Sequence, residues 1–393
     1  MANIRIDNVS PEKFRWAFER AGYNEEKATE VFPLLSGWLS KDKLPTLRQL
    51  EKFANKFHVP LGYLFLDKAP AERIPIPVFR GTAGKTDKFD LNLYDTINAI
   101  SYRQDWLADY LPANEIITSE LVGCVNLKTP ICEAVDKLRN ALGLSARWAF
   151  SLKSFDAAVN TLTEHIEDAG VFVAFNGVVA NNTHRKLMID VCRGFALVNR
   201  YAPYIFVNSD DSKGAQLFTL VHEMAHIMLG VSAGHAGEEI GAADMTELYC
   251  DKVAAEFLVP ASEIRLLWDG DIKRLSHRFK ASEIVVARRA HDLGLLSDDA
   301  YRRFWLAYSN RPHKERKQSS GGDFFRTSVK RVGRLFAIHV RNAVNSRQMS
   351  YLEAYRLTGL HGDTYQSIFS DNFIVEYRFD SSIEHIVQHF YSC

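Results

Sequence analysis

Residues 218–229 read Phe-Thr-Leu-Val-His-Glu-Met-Ala-His-Ile-Met-Leu, and His222, Glu223 and His226 form the pattern H-E-x-x-H. The surrounding segment 215–229 contains neither Pro nor Gly, so it predicts a helix in which both imidazoles project from one face. Two histidines on one face can bind a single Zn²⁺, and the glutamate beside the first can activate a water for hydrolysis. The stretch therefore predicts a hydrolytic metal centre carried by a buried helix.

A hydrolytic zinc site needs a third protein ligand and an open fourth position. Glu247 is the candidate, and Asp251 lies four residues later, so the two share a face if the segment is helical. One carboxylate would bind the metal while the other orients a ligating histidine. Two alternatives stay open. Asp244 and Glu247 also fit an N-cap with its capping-box glutamate, and His235 is a rival ligand, although its spacing departs from sites that use a downstream histidine.

These two motifs resemble those of the ImmA/IrrE family of metallopeptidases. Residues 218–229 are similar to the family's active helix, and residues 247–260 are similar to its second motif. The second motif departs from the family pattern through apolar replacements at Cys250, Val253 and Val259. The resemblance covers roughly residues 133 to 300, and also includes the strand pair that precedes the active helix.

The resemblance implies an α+β fold, with a zincin-like metallopeptidase domain built on a small sheet. It implies one Zn²⁺ per chain, held by His222, His226 and Glu247, with Asp251 supporting a ligand. Glu223 would be the catalytic general base. The implied partner is a protein substrate, a small repressor or an antitoxin-like regulator.

Composition restricts the class of protein further. The 48 basic residues balance the 48 acidic ones, so no global field attracts nucleic acid or membrane. The five cysteines are scattered and form no C-x-x-C pair, which predicts reduced thiols. The N-terminus shows no apolar signal-peptide core, and no apolar run approaches eighteen residues. We therefore expect a cytoplasmic protein without a membrane partner.

Residues 1–68 predict a separate all-α unit. Helix signals mark segments 12–20, 25–31, 36–41, 47–57 and 60–65, a helix-turn-helix layout that resembles the XRE-type module. The resemblance makes residues 33–41 the recognition helix, with DNA-facing side chains at Ser36, Ser40, Lys41 and Lys43. Residues 1–66 carry ten Lys and Arg against eight Asp and Glu, a weak footprint for phosphate. DNA binding and protein docking both remain open for this unit.

The remaining chain is interpreted by pattern. The pattern of residues 69–132 predicts a linker and connecting helices, and that of residues 133–311 predicts the metallopeptidase domain. In this domain we expect helices at 133–142 and 155–169 and strands at 171–175, 194–198 and 205–207. Residues 275–294 have the pattern of a second helix-turn-helix, although a plain packing element is favoured. After a basic, Ser- and Gly-rich linker, residues 323–393 predict a helical C-terminal domain.

The sequence thus favours a zinc-dependent endopeptidase that cleaves a regulatory partner protein in transcriptional, stress or prophage control. Two rival functions are kept. In the first, the chain would be a DNA-binding regulator or antitoxin whose peptidase fold serves as a sensor or scaffold. In the second, it would be a protease toxin or a phage-defence component.

Overall fold

The computed structural model describes residues 4–70, 72, 90–116, 119–232, 240–311 and 324–369. The chain divides into two compact units, the first comprising Met1–Pro75 and Thr82–Ile97 and the second comprising Ile76–Gly81 and Asn98–Cys393. The predicted helix-turn-helix segment lies in the first unit, and the H-E-x-x-H motif lies in the second.

Short helices build the N-terminal part of the first unit: α1 Pro11–Arg20, α2 Glu25–Val31, α3 Leu35–Leu39, α4 Leu47–Lys56 and a 3-10 helix Leu61–Phe65. Polar caps set two of their starts, because Asn24 accepts a hydrogen bond from the Lys27 amide, and Thr46 and Gln49 form a capping box. The core is aromatic and fully buried, with Phe14, Phe18, Leu35, Phe53 and Phe57 at its centre.

Helix α3 is only five residues long, so the predicted helix over residues 33–41 is wrong in its length. The chain leaves the helical conformation at Lys41, whose φ is +65°. A left-handed residue stops an α-helix because the next amide no longer points along the helix axis.

Helix α5, Leu91–Ala113, begins in the first unit and continues into the second. It ends one residue after Pro112, and turns rather than helix fill residues 120–123 and 127–129. In this segment the Gly123 amide donates to Ile227 O (3.1 Å) and the Val125 amide to Met228 O (3.0 Å). The segment therefore satisfies carbonyls at the C-terminal end of the motif helix, which an amphipathic pattern does not reveal.

The sheet of the second unit has three strands in the order β1-β5-β4. They are β1 Phe172–Phe175, β4 Gly194–Leu197 and β5 Tyr204–Val207. Strand β1 runs parallel to β5 with Phe172 opposite Tyr204, and β4 runs antiparallel to β5 with Gly194 opposite Val207. A hairpin of β2 Val178–Val179 and β3 Asn182–Lys186 was not predicted, since β3 reads Asn-Thr-His-Arg-Lys and is mostly exposed.

Helices surround this sheet, and the helix that carries the H-E-x-x-H motif packs on both β4 and β5. Four helices form most of the helical core: α6 Ile131–Leu142, α7 Phe155–Asp168, α8 Lys213–Leu229 and α9 Ile240–Leu258. Four further helices follow along the chain: α10 Ala261–Leu267, α11 Ile272–Phe279, α12 Glu283–Asp292 and α13 Asp298–Ser309. The segment proposed as a second helix-turn-helix thus forms α11 and α12, whose apolar residues join the same core.

The C-terminal helices are α14 Phe324–Val332, α15 Arg334–Asn345, α16 Tyr351–Thr358 and α17 Gly362–Phe369. Helices α14 and α15 pack on β1 and meet at Gly333, whose φ is +92°. A Cβ atom there would lie 2.6 Å from Val173 O, so only glycine allows this approach. The Tyr204 hydroxyl donates to Val332 O at 3.2 Å, and the buried Arg103 guanidinium donates to Leu357 O at 3.0 Å. These contacts fix the C-terminal helices on the sheet of the second unit and on helix α5.

None of the helices in the described parts of the chain combines the length and apolarity needed to cross a bilayer. The cysteines at positions 124, 132, 192 and 250 are free thiols, and Cys393 lies outside the described residues.

Candidate metal centre

Helix α8 positions three of the predicted site residues. It begins after Ser212, whose hydroxyl accepts a hydrogen bond from the Ala215 amide, and ends at Gly230 with φ +72°. Its apolar residues are buried against the sheet and α9, whereas His222 keeps partial exposure. Glu223 and His226 are 5% and 1% exposed. The helix thus holds a polar group of three side chains at the border between core and solvent.

Helix α9 supplies the carboxylates from the opposite side. Glu247 and Asp251 are one turn apart on this helix, which packs extensively against α8. The helix begins at Ile240, so position 244 lies inside it. The alternative in which Asp244 is an N-cap with Glu247 as its capping-box partner is therefore wrong. The rival ligand His235 lies outside the described residues.

The structure brings His222, His226 and Glu247 together around one point. The Nε2 atoms of the two histidines are 3.2 Å apart. Glu247 places one carboxylate oxygen 3.1 Å from His222 Nε2 and the other 3.1 Å from His226 Nε2. Donors about 2.0–2.2 Å from a shared tetrahedral centre lie roughly 3.3 Å from one another. The spacing and the donor types therefore fit a Zn²⁺ ion, and no other such cluster occurs within the described ranges.

Asp251 contacts the far side of the His222 ring. Its Oδ1 lies 3.0 Å from His222 Nδ1, while Nε2 of the same ring faces Glu247. A carboxylate that accepts a hydrogen bond from one imidazole nitrogen fixes the tautomer and leaves the other nitrogen free to bind a cation. The contact thus orients His222 towards the shared point.

The electrostatics of the cluster favour a protonated His222 beside an ionised Glu247. Burial lowers the pKa of His222, but hydrogen bonds to Asp251 and Glu247 outweigh it and raise the pKa to about 10. Burial raises the pKa of Glu247, but hydrogen bonds from His222 and His226 outweigh it and lower the pKa to about 2. A cation entering the cluster would take the place of the His222 proton, so metal binding and protonation compete.

The environment of Glu223 shifts the pKa of its carboxyl group in the opposite direction to that of Glu247. Burial raises the pKa of its carboxyl group, although the nearby charges of His226 and His222 act to lower it. Its Oε2 atom is buried and has no hydrogen-bond partner among the described residues. A carboxylate whose pKa is moved towards neutrality is well suited to accept and return a proton.

Gly194 brings strand β4 close to Glu223, a role that its place in the sequence did not reveal. A Cβ atom at this position would lie 2.4 Å from Thr219 Cγ2, 2.7 Å from Phe206 O and 3.6 Å from Glu223 Oε1. The backbone of Ala196 also hydrogen-bonds to Glu223 and lowers its pKa. A glycine that opens a predicted strand signals such a close approach. Strand β4 lies at an edge of the sheet and packs on α8.

The residues predicted to face DNA lie in the first unit. The Ser36 hydroxyl donates to Pro33 O at 3.0 Å, and the Ser40 hydroxyl donates to Asp42 Oδ2 at 2.7 Å. Lys41 and Lys43 are exposed on either side of this aspartate. Both hydroxyls thus already have partners within the chain.

Comparison with known families adds an independent finding. Residues 166–291 match the family model described as the IrrE N-terminal-like domain, of peptidase family M78. The matched range contains β4, β5 and the helices α8 and α9, so it includes all the converging donors. The match supports the resemblance to the ImmA/IrrE family and a metallopeptidase-type enzyme. Residues 332–370 match a second model, described only as a domain of unknown function. No curated protein and no solved structure matches the chain.

Proposed function

We propose that this chain is a zinc-dependent endopeptidase that cleaves a regulatory partner protein, a repressor or an antitoxin-like regulator. One observation carries the proposal: donors from His222, His226 and Glu247 converge on one point, and Glu223 lies beside them on the same helix. Two imidazoles and a carboxylate leave one tetrahedral position open, as hydrolytic zinc sites require.

Each side chain has a distinct role in this mechanism. Bound Zn²⁺ would polarise the scissile carbonyl and make water a stronger nucleophile. Glu223 takes a proton from the attacking water and delivers it to the leaving amine. Asp251 holds the His222 ring in register through its 3.0 Å contact. Burial of Glu223 and His226 excludes bulk water from the side of the site that faces the core.

Strand β4 is the proposed platform for the substrate. It is an edge strand of the three-stranded sheet and packs on α8. An extended peptide can pair with such an edge through main-chain hydrogen bonds. Because Gly194 and Ala196 lie next to Glu223, a peptide paired there would pass close to the proposed base.

Comparison of wild type with Glu223→Gln, by mass spectrometry of new protein N-termini in the host cell, tests the proposal. The exposed Glu133 on α6 provides a control, Glu133→Gln. We expect the same new termini with wild type and Glu133→Gln, and none with Glu223→Gln. A cellular phenotype that persists in Glu223→Gln without new termini would instead support the scaffold function. Growth arrest that depends on Glu223 would support the toxin function.

We further propose that the N-terminal unit docks a protein rather than DNA. Leu34, Leu44 and Leu47 are 46%, 42% and 47% exposed; the first lies within the predicted recognition segment, and the other two follow it in the sequence. We infer a protein contact from these exposed apolar side chains, whereas DNA affinity comes mainly from Lys and Arg contacts to phosphate.

The two possibilities differ in their response to salt. If the unit docks a protein, the full chain shows no sequence-selective binding to its own promoter even at low salt. The double substitution Lys41→Glu and Lys43→Glu then leaves the DNA affinity unchanged. If it reads DNA, affinity falls steeply with salt, and the double substitution reduces the slope by roughly one for each lysine that touches a phosphate. A fluorescence-polarisation titration at two salt concentrations decides between them.

A further inference from the structure

A cavity lined by cationic side chains lies in the same unit, outside the group of converging histidines. It has a volume of about 220 Å³ and is bordered by α7, β1, α8 and α14. Three cationic side chains line it: Lys213 at the start of α8, and Lys330 and Arg331 on α14. No carboxylate occurs among the described residues that line it. Cations from two helices that are far apart in sequence thus meet in one concave space.

Neutral hydrogen-bonding groups and two apolar side chains, Val159 and Phe175, form the rest of the wall. The hydroxyl-bearing residues Ser209 and Thr327 line the cavity together with Gln216. Gln216 is fully buried, and its amide group donates to Ser209 O (3.0 Å) and Asp211 O (2.8 Å). Its carbonyl oxygen accepts a hydrogen bond from Lys213 Nζ at 3.3 Å. The buried glutamine therefore fixes the loop before α8 and holds the Lys213 ammonium at the wall.

Carboxylates near the cavity offset this charge only in part. Asp156 Oδ1 lies 3.5 Å from Lys213 Nζ, but its side chain is 67% exposed, and exposed pairs are screened by solvent. Asp210, which attracts Arg331, is also exposed. Burial and the neighbouring charge of Lys213 lower the pKa of Lys330 to about 8, although Asp156 opposes the shift. Lys330 Nζ donates to Asn160 Oδ1 at 3.1 Å, which is a neutral partner, so an anion in the cavity would offset the positive charge of Lys213 and Lys330.

We propose that this cavity binds the phosphate or diphosphate group of a small molecule. Phosphoryl oxygens carry multiple negative charges and accept several hydrogen bonds, which matches the three cations and two hydroxyl-bearing residues around this cavity. The volume exceeds what a single ordered water needs, so an organic portion attached to the phosphate can also enter. The site is distinct from the metal centre, and the proposal does not rest on peptidase activity.

Such a ligand would bridge two parts of the second unit. Lys213 is the first residue of α8, the helix that also carries His222 and His226. Lys330 and Arg331 belong to α14, which packs on β1. A ligand bound to both helices would stabilise the folded unit against unfolding, increasingly so as its concentration exceeds its Kd.

Titration calorimetry of the full chain with inorganic pyrophosphate, at an ionic strength held constant with chloride, tests the proposal. We expect saturable binding with one site per chain. Lys330→Gln and Arg331→Gln should each weaken binding about tenfold, as expected when a charge-assisted hydrogen bond is removed. Lys330→Arg should retain binding because it keeps the charge. Arg303→Gln, at an exposed arginine on α13, should bind as wild type does.

A parallel titration with ADP distinguishes the source of the phosphate. Tighter binding of ADP than of pyrophosphate would assign the cavity to a nucleotide-like ligand, and equal binding would assign it to the phosphate group alone. No binding of either ligand to wild type would overturn the proposal, as would equal binding to wild type, Lys330→Gln and Arg331→Gln. Far-UV circular dichroism identifies a variant that fails to fold, and Lys213→Gln then takes its place.

Discussion

Asp251 and His222 lie on different helices, α9 and α8, and are joined by a 3.0 Å contact between Oδ1 and Nδ1. The contact directs His222 Nε2 towards Glu247 and His226. Glu247 touches the side of the ring that would bind metal, whereas Asp251 touches the opposite side. The two carboxylates should therefore differ in how strongly their removal affects metal binding.

Metal binding by alanine variants measures that difference. Glu247→Ala removes a proposed donor and should lower zinc affinity severely. Asp251→Ala removes only the support of His222 and should lower it about 10- to 100-fold. Zinc content and competition with a chelator provide the measurement. If Glu247→Ala kept full zinc affinity while His235→Ala abolished it, Glu247 would not be the third ligand.

The proposed base can be separated from the ligands. Glu223→Gln should retain zinc, because its side chain is not among the converging donors. It should lose hydrolysis by at least about 100-fold, the usual contribution of a general base, since an amide cannot accept the proton of the attacking water. Zinc content and cleavage of a denatured model protein are measured on the same sample. Undiminished cleavage by the zinc-loaded variant would remove Glu223 from this role.

Gly194→Ala tests the close approach of β4 to α8. The added methyl group would lie 2.4 Å from Thr219 Cγ2 and 2.7 Å from a backbone oxygen, so either α8 or β4 must move. We expect a decrease of about 1–3 kcal/mol in the free energy of unfolding, as for other overpacked sites. The control is Gly62→Ala, where a Cβ meets no atom within 4 Å. Equal stability of the two variants in urea denaturation would show that β4 does not constrain the helix.

The side chain of His339 makes the stability of the second unit sensitive to acid. Burial against Tyr110 and Phe172 lowers its pKa from 6.5 to about 4, and its Nδ1 is buried without a hydrogen-bond partner among the described residues. The unfolded chain therefore takes up a proton near pH 6.5, whereas the folded chain does so only near pH 4. The contribution of His339 to the free energy of unfolding is fully present above pH 6.5. It should fall by up to about 3 kcal/mol as the pH drops from 6.5 to 4.

Replacement of the histidine removes that dependence. His339→Leu should flatten the decrease in urea stability between pH 6.5 and pH 4, and His184→Leu, at an exposed histidine of β3, should leave it unchanged. An unaltered pH profile in His339→Leu would assign the acid sensitivity to other groups.

Local sequence patterns predict the helices α6, α7 and α8 and the strands β1, β4 and β5 to within about two residues. The three main strands are short β-branched and aromatic runs between turn residues, and Ser212 and Gly230 mark the ends of α8. Strand β3 was missed because its side chains are polar and exposed, so no alternation marks it. The N-cap pattern at Asp244 and Glu247 does not mark the start of α9, because it occurs inside that helix.

The contacts between distant segments could not be predicted in this way. The helical spacing of His222 and His226 places both rings on one face, but only the packing of α8 on α9 brings Glu247 within 3.1 Å of each ring. The cationic cavity combines residues more than a hundred positions apart, and no local pattern predicts that Lys213 and Lys330 share it.

The junction of α14 and α15 at Gly333 covers the edge of the sheet that β1 forms. The amides of Phe172 and Asn176 donate towards β5, to Pro203 O and Val207 O, so the carbonyl of Val173 between them points the other way. That carbonyl faces Gly333, whose missing side chain lets the helix junction cover it. An uncovered strand invites edge-to-edge aggregation. The glycine thus lets the helix junction block growth of the sheet at β1.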